Sequence, residues 1–283
     1  MLCFIIDEGG STMLNQISSQ VIMNGQEENE AVAIRFVTPP VYEVIRVVSG
    51  RPLFLHEHYE RLVQSSIMSD IQISFAEADL LKYIDSLVER TGILNNNVRL
   101  EVGKTDENQI SWVLFWVHSV YPDETVYKKG VKVVTYKAER ENPHAKIYRS
   151  NFADTILELR KKHDAFEVLL VREDHVITEG SRSNLFFIKN DVIYSAKESD
   201  VLQGITRMKL IELMQQMGIK WIEMDILVSE IDQFEACFIT GTSVHILPVS
   251  QINTVCYESA KHPLLLRLEH KFKNIVLEDL KTR

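Results

Sequence analysis

From Phe166 to Ser195 the chain reads "FEVLLVREDHVITEGSRSNLFFIKNDVIYS", a series of short apolar runs broken by turn residues, and this pattern constrains the fold most. Runs this short, rich in β-branched and aromatic residues, suit strands, whereas a helix needs about ten residues or more. Asn190-Asp191, between "LFFI" and "VIYS", is a two-residue hairpin signal. One interruption stands out, because "TEGSRSN" places an acid, a glycine and several polar side chains where a strand ought to continue. Glu179 is read as an acid in a glycine turn after a buried strand. There it either accepts local N–H bonds or pairs with a cation.

The rest of the chain mixes strands and helices. A short strand at Val21–Met23 runs into a polar loop, Gly25 to Glu30. "VYEVIRVVSGRPLFLHEHYERLVQSS" predicts a strand over Val41–Val48, a turn at Ser49–Pro52, a second short run at Leu53–Leu55, and a helix from Glu57. A helix over Ala76–Glu89 and strands at Asn97–Val102 and Ser111–His118 complete a small α+β unit. "SVYPDETVYKKG" reads as a linker, so the domains are expected at residues 1–122 and 127–283. The second contains a strand at Val131–Tyr136, an irregular "KAERENPHAK", a helix from Phe152 to His163, and a helix entered through "LQGITR" and closed at Gly218. Two apolar runs, "ACFIT" and "HILPV", flank "GTS".

Composition removes several function classes. With 45% apolar and 25% charged residues, only 7 Pro and 11 Gly in 283, the chain is an ordinary globular one with no room for a long disordered part. A net charge of −9 argues against a broad footprint for nucleic acid or anionic membrane. The odd set Cys3, Cys237 and Cys256 has neither metal-ligand nor redox spacing, which suits a reducing cytoplasm. The opening "MLCFIIDEGG" meets Asp7 and Glu8 at once and is neither a signal peptide nor a membrane span.

Several residues carry possible chemistry. Gly204 at the entrance of a helix leaves N–H groups that, with the helix dipole and the Thr206 hydroxyl, favour a phosphate; alternatively Thr206 simply caps the helix. Gly241 permits close backbone approach, and Thr242 or Ser243 can donate to an anion from a turn. Arg61 lies three residues after His58 on a helix, so both point the same way and Arg61 can clamp a phosphate or solvate a face. His56 and His58 diverge on a helix, and no metal site is expected. Lys146, where a strand has ended and a helix is about to begin, is either solvent decoration or a desolvated amine able to form a Schiff base. Glu179 is then either a partner for a protonated pyridine nitrogen or a turn acid whose oxygens accept local N–H bonds.

In this order, "YEVIRVVSGRPLFLHEHYERL", "RENPHAK", "VITEGSRSNLFFI", "LQGITR" and "FITGTSVHILPV" resemble the class IV, or fold-type IV, pyridoxal-phosphate aminotransferases. That family holds branched-chain and D-amino acid aminotransferases and aminodeoxychorismate lyase. The likeness covers about residues 41 to 250, and the "TEGSRSNLFFI" and "LQGITR" pair is its most specific part. It implies an α+β chain with a small N-terminal α/β sandwich and a larger C-terminal pseudo-barrel, acting as a homodimer on small amino and keto acids. It implies that Lys146 holds pyridoxal 5'-phosphate as a Schiff base and acts as general base, and that Glu179 keeps the pyridine nitrogen protonated. Arg61, Gly204, Ile205, Thr206 and Thr242 would hold the phosphate, and Leu202 would pack on the ring. The expected activity is transamination between an amino acid and a 2-keto acid. The alternatives are a lyase of the aminodeoxychorismate type and a cofactor-binding protein without catalysis.

Two departures limit the transfer of substrate. "IRFVTPP" replaces the glycine-rich stretch common before the aromatic-Glu pair, and Asn151 stands where branched-chain members have a tyrosine. Tyr42, Arg46, Arg99 and Arg140 are possible carboxylate contacts, the arginines alternatively solvated or structural, and Ser181, Arg182 and Ser183 are left between cofactor and substrate.

Overall fold

The computed structural model describes residues 16–29, 36–140 and 142–282; the opening stretch with Cys3 lies outside them. The chain forms two compact units. Of the described residues, the first comprises 16–29, 36–120, 145–150 and 279–282, and the second comprises 121–140, 142–144 and 151–278.

In the first unit, strands β1 (Val21–Met23), β2 (Gln26–Glu28), β3 (Val41–Val48), β4 (Arg51–Pro52), β5 (Asn96–Lys104) and β6 (Ile110–Val117) form an antiparallel sheet ordered β2-β1-β6-β5-β3-β4. Helices α1 (Leu55–Met68) and α2 (Glu77–Thr91) cover one face, where Val41, Ile45, Val47, Val98, Leu100 and Val102 meet Leu62, Leu80, Ile84 and Leu87. The strict alternation of β3 decides what faces the helices, since every second side chain points to the same side. Glu43 therefore lies in the apolar row between Val41 and Ile45. Tyr42 and Arg46 face the other side, and their β5 partners Glu101 and Asn97 share that side. The second run of the expected hairpin is shifted: Arg51–Pro52 form β4, and α1 already begins at Leu55, preceded by Phe54 with a left-handed φ of 50°. Apolar Leu53, Phe54 and Leu55 are buried by the helix start and not by strand pairing.

In the second unit, α3 (Glu124–Lys129) precedes β7 (Val131–Lys137), α4 (Ser150–His163), β8 (Glu167–Val171), β9 (Val176–Gly180), β10 (Asn184–Lys189) and β11 (Val192–Ser195). Then follow α5 (Ile205–Gln216), β12 (Trp221–Glu223), β13 (Ile226–Leu227), β14 (Ala236–Gly241), β15 (His245–Ile252), β16 (Val255–Cys256) and α6 (Pro263–Lys281). The sheet runs β12-β11-β10-β14-β15-β7-β8-β9-β13, with β16 on β15. β7 is parallel to both β15 and β8, and β11 to β12. β9 and β10 are far apart in this order yet are joined by residues 181–183, with Gly180 N–H donating to Ser183 O at 2.7 Å. A three-residue link between strands so distant in the sheet requires the sheet to curl on itself, as the expected pseudo-barrel does. Asn190 and Asp191 both adopt positive φ, the paired left-handed conformation of a tight hairpin. Among the described residues no helix is long and apolar enough to cross a membrane.

Candidate active site

Within the first unit, residues 145–148 run alongside the start of β3. Tyr42 N–H donates to Lys146 O at 2.9 Å, Tyr148 N–H donates to Pro40 O at 3.0 Å, and Val41 and Ile147 form an antiparallel bridge. Lys146 N–H also donates to Ser65 Oγ of α1 at 3.2 Å. A short bridge to a rigid strand fixes the backbone of the lysine without a helix or strand of its own. The Lys146 ammonium stands 4.7 Å from the centre of the Tyr42 ring. The Arg99 guanidinium lies 4.4 Å from the same ring and 4.3 Å from that of Tyr148. Arg99, read as a possible carboxylate contact, is thus held between two tyrosines, with Nε also 2.6 Å from Glu101 Oε1.

Arg61 and His58 do point the same way, because three residues on a helix return to one face. They meet Glu43. Arg61 donates from Nε and Nη2 to the two carboxylate oxygens, each at 2.7 Å, and His58 Nδ1 lies 2.8 Å from Oε2. All three are buried. Burial would raise the Glu43 carboxyl, but the charge and hydrogen bonds of Arg61, helped by His58, hold it well below the usual carboxylate range. Burial pushes the His58 imidazole below its ordinary value, against the Glu43 hydrogen bond; the nearby Arg61 and Lys146 charges act in the same direction as burial. His56 diverges as the helix geometry requires, reaching Glu77 at 2.8 Å and Glu60 at 3.3 Å.

In the second unit, Glu179 does not lie in a turn. It is part of β9, whose five residues are all buried, and the turn is formed by residues 181–183. The sequence points to a turn because glycine and serines follow immediately, but Ile177 and Gly180 both pair with β8, and Glu179 lies in the irregular step of β9 between them. Arg140 Nε donates to Glu179 Oε1 at 2.6 Å, while Asn184 Nδ2 and Leu202 N–H each donate to Oε2 at 3.1 Å. Asn184 Nδ2 further donates to Leu202 O at 2.8 Å. One amide therefore joins the "TEGSRSN" and "LQGITR" motifs. Gly204 sits against it, since a Cβ there would come 2.1 Å from Asn184 Oδ1. Asn184 is a functional candidate that sequence reasoning missed. Its signal was an amide opening the apolar run Leu185–Ile188 of β10.

Gly204 is the N-cap of α5, with no side-chain cap and no acid in the first turn. Thr206 lies inside the helix, so it is not the cap residue. The first turn of α5 accordingly supplies no carboxylate of its own to its leading N–H groups. On the strand neighbouring β10, Thr240 pairs with Asn184, and its buried Oγ1 has no hydrogen-bond partner among the described residues. Gly241 leads into the turn carrying Thr242 and Ser243, closed by Val244 N–H to Gly241 O at 3.2 Å, and the Arg182 carbonyl approaches it. Ser181 and Ser183 face inward to structure: their hydroxyls donate to buried Glu167 at 2.5 and 3.0 Å, with Arg182 N–H at 3.3 Å and the Arg182 side chain exposed. Arg140, by sequence a possible carboxylate contact or a structural arginine, donates to Glu179 and to Ser181 O, the latter at 2.8 Å.

A family profile for amino-transferase class IV matches residues 40–252. The chain is 29% identical over 251 residues to a D-alanine aminotransferase of Bacillus licheniformis, covering 84% of this chain and 88% of that one. A probable branched-chain-amino-acid aminotransferase of Rickettsia conorii is 22% identical over 84% of this chain and 87% of its own. A putative branched-chain amino acid aminotransferase from Thermotoga maritima, a solved structure, superposes with a TM-score of 0.75 at 25% identity, covering 91% and 96% of the two chains. A putative 4-amino-4-deoxychorismate lyase from Legionella pneumophila shares the fold, with a TM-score of 0.76 at 21% identity over 83% and 91%. With its buried acid, its bare helix start and a profile match spanning most of its length, the chain belongs to the class IV aminotransferases.

Proposed function

We propose that the protein transfers an amino group between an amino acid and a 2-keto acid, with Lys146 as the residue that carries pyridoxal 5'-phosphate, the cofactor of its family. The observation that carries this reading is the buried Glu179 carboxylate, oriented by Arg140, Asn184 and Leu202. The donor set suits the cofactor: an oriented carboxylate matches a protonated ring nitrogen, the uncapped start of α5 matches a phosphate, and Gly204 leaves no space for a side chain. When bound, the cofactor supplies an electrophilic carbon and an electron sink. Lys146 would hold it covalently through Nζ and, once displaced by the incoming amine, would take the Cα proton as general base. Glu179 would keep the ring nitrogen protonated. Leu202 would pack on the ring, and Arg61, Gly204, Ile205, Thr206 and Thr242 would hold the phosphate. Bidentate pairing with Glu43 gives Arg61 a fixed orientation for that role.

The active form is read as a cytoplasmic homodimer. The free cysteines among the described residues, buried Cys237 and exposed Cys256, suit a reducing compartment. Sedimentation showing only monomer at working concentration would exclude the dimer.

Borohydride reduction of the purified holoprotein, followed by peptide mapping, should fix the cofactor on Lys146. A Lys146→Ala protein that still yields a reducible adduct refutes the assignment. Amino acids of both hands should then be screened for conversion of the bound cofactor to its amine form. Release of pyruvate without a keto-acid acceptor would mark a lyase, and no spectral response to any amine would mark a binding protein.

A further inference from the structure

We propose that Arg140 is a positioning residue that sets the effective charge of the Glu179 carboxylate and, through it, how firmly a proton is held on the cofactor's ring nitrogen. The inference rests on the reading of Glu179 as the partner of that nitrogen.

The geometry gives Arg140 one defined placement. Its Nε donates to Glu179 Oε1 at 2.6 Å, its Nη2 donates to Ser181 O at 2.8 Å, and its guanidinium lies 6.0 Å from the centre of the Phe152 ring. The fork thus spans the acid and the turn that follows it, so the carboxylate plane and the turn are tied together. Glu179 is almost fully buried, its side chain 3% exposed, and Arg140 is 21% exposed. At such a site water screens the pair weakly.

The donors on Glu179 differ in kind. Asn184 and Leu202 contribute neutral N–H groups to Oε2, whereas Arg140 contributes a full positive charge to Oε1. An arginine keeps that charge at every pH the protein meets. A carboxylate bound to a guanidinium stays ionised but attracts a further proton less strongly than one held only by amides. The ring nitrogen therefore holds its proton less firmly with Arg140 in place than without it. Arg140 acts as a brake on the electron sink and keeps the carboxylate aimed.

The test uses holoenzyme reconstituted with cofactor labelled with ¹⁵N in the ring, whose chemical shift reports the nitrogen's protonation across a pH series. In Arg140→Gln the midpoint for loss of the ring proton should rise by about one pH unit, toward the lower end of shifts caused by a neighbouring charge. Arg140→Lys retains a cation without the fork and should show a smaller rise. An unchanged or lowered midpoint in Arg140→Gln, or an equal rise in both variants, overturns the role of the charge. If Arg140→Gln takes up no cofactor, Arg140→Met, which also removes the charge, is measured in its place: a rise of the midpoint supports the inference and its absence overturns it. Glu179→Gln separates the two readings. If that variant keeps the ring proton, the assignment of Glu179 fails and the inference with it. If it loses the proton while Arg140 variants do not move the midpoint, the inference alone fails.

Discussion

Replacing Gly204 by alanine should break the site without altering any polar group. At φ −66° and ψ 135° the backbone accepts any L-residue, so conformational strain is not the issue. The added Cβ would stand 2.1 Å from Asn184 Oδ1 and 3.3 Å from its Cγ. The amide cannot swing aside freely, because Nδ2 donates to Leu202 O at 2.8 Å and to Glu179 Oε2 at 3.1 Å. Forcing it out combines overpacking, about 1–3 kcal/mol, with a buried polar group left unpaired, about 1–3 kcal/mol, so the loss should reach roughly 2–6 kcal/mol. Urea unfolding of the apoprotein gives the stability change, and titration with pyridoxal phosphate gives the affinity, which should fall with it. The decisive measurement is the double variant. Asn184→Ala removes the clashing amide, so adding Gly204→Ala to it should cost no more than about 0.5 kcal/mol further. Additive losses, or a Gly204→Ala protein within about 0.5 kcal/mol of wild type, would refute the argument that these two motifs lock through one amide.

Glu43→Gln leaves the Arg61 charge buried without its carboxylate and should cost about 3–5 kcal/mol in chemical denaturation; a loss under about 1 kcal/mol would mean the cluster is relaxed or hydrated. His58, buried with a folded pKa below its ordinary 6.5, takes up a proton more readily when unfolded. Stability should therefore fall as pH drops below 6.5, and this limb should flatten in His58→Asn, as thermal unfolding across pH would show. The Glu43 contribution lasts to lower pH, being lost only as pH falls through its depressed value. Glu269 on α6 behaves oppositely: burial pushes its carboxyl from 4.5 up to about 7, against the lowering effect of Lys273, so its folded state holds the proton longer. Stability from that group is complete below pH 4.5 and is lost toward 7, and Glu269→Gln should melt higher than wild type above pH 7 but not below 4.5.

Much of the architecture was legible because it depends on local pattern. The period-two alternation of Val41–Val48, the Asn190-Asp191 hairpin and the glycine at the entrance of α5 are all set by neighbours within a few residues. The motifs around Lys146, Glu179, Gly204 and Thr242 were likewise readable as a family resemblance. The state of Glu179 was not, because glycine and serine next to an acid suggest a turn, whereas the pairing of Ile177 and Gly180 with β8 on either side keeps Glu179 within β9. The inward serines followed the same logic: only the packed position of Glu167 shows where their hydroxyls go.

Sequence by itself determined which residue types are available and in what order: an acid before a glycine, a lysine after a loop, a helix begun by glycine. Tertiary structure decided the partners, since hydrogen bonds between residues distant in the chain carry no local signal. Glu43 meets Arg61 and His58 because a strand row faces a helix stripe. Arg140 reaches Glu179 across 39 positions, and Asn184 reaches Leu202 across 18. Residues 145–150 belong with the first unit although most of the chain around them forms the second. Burial makes these choices binding, because a polar group removed from water must find its partner wherever the fold supplies one.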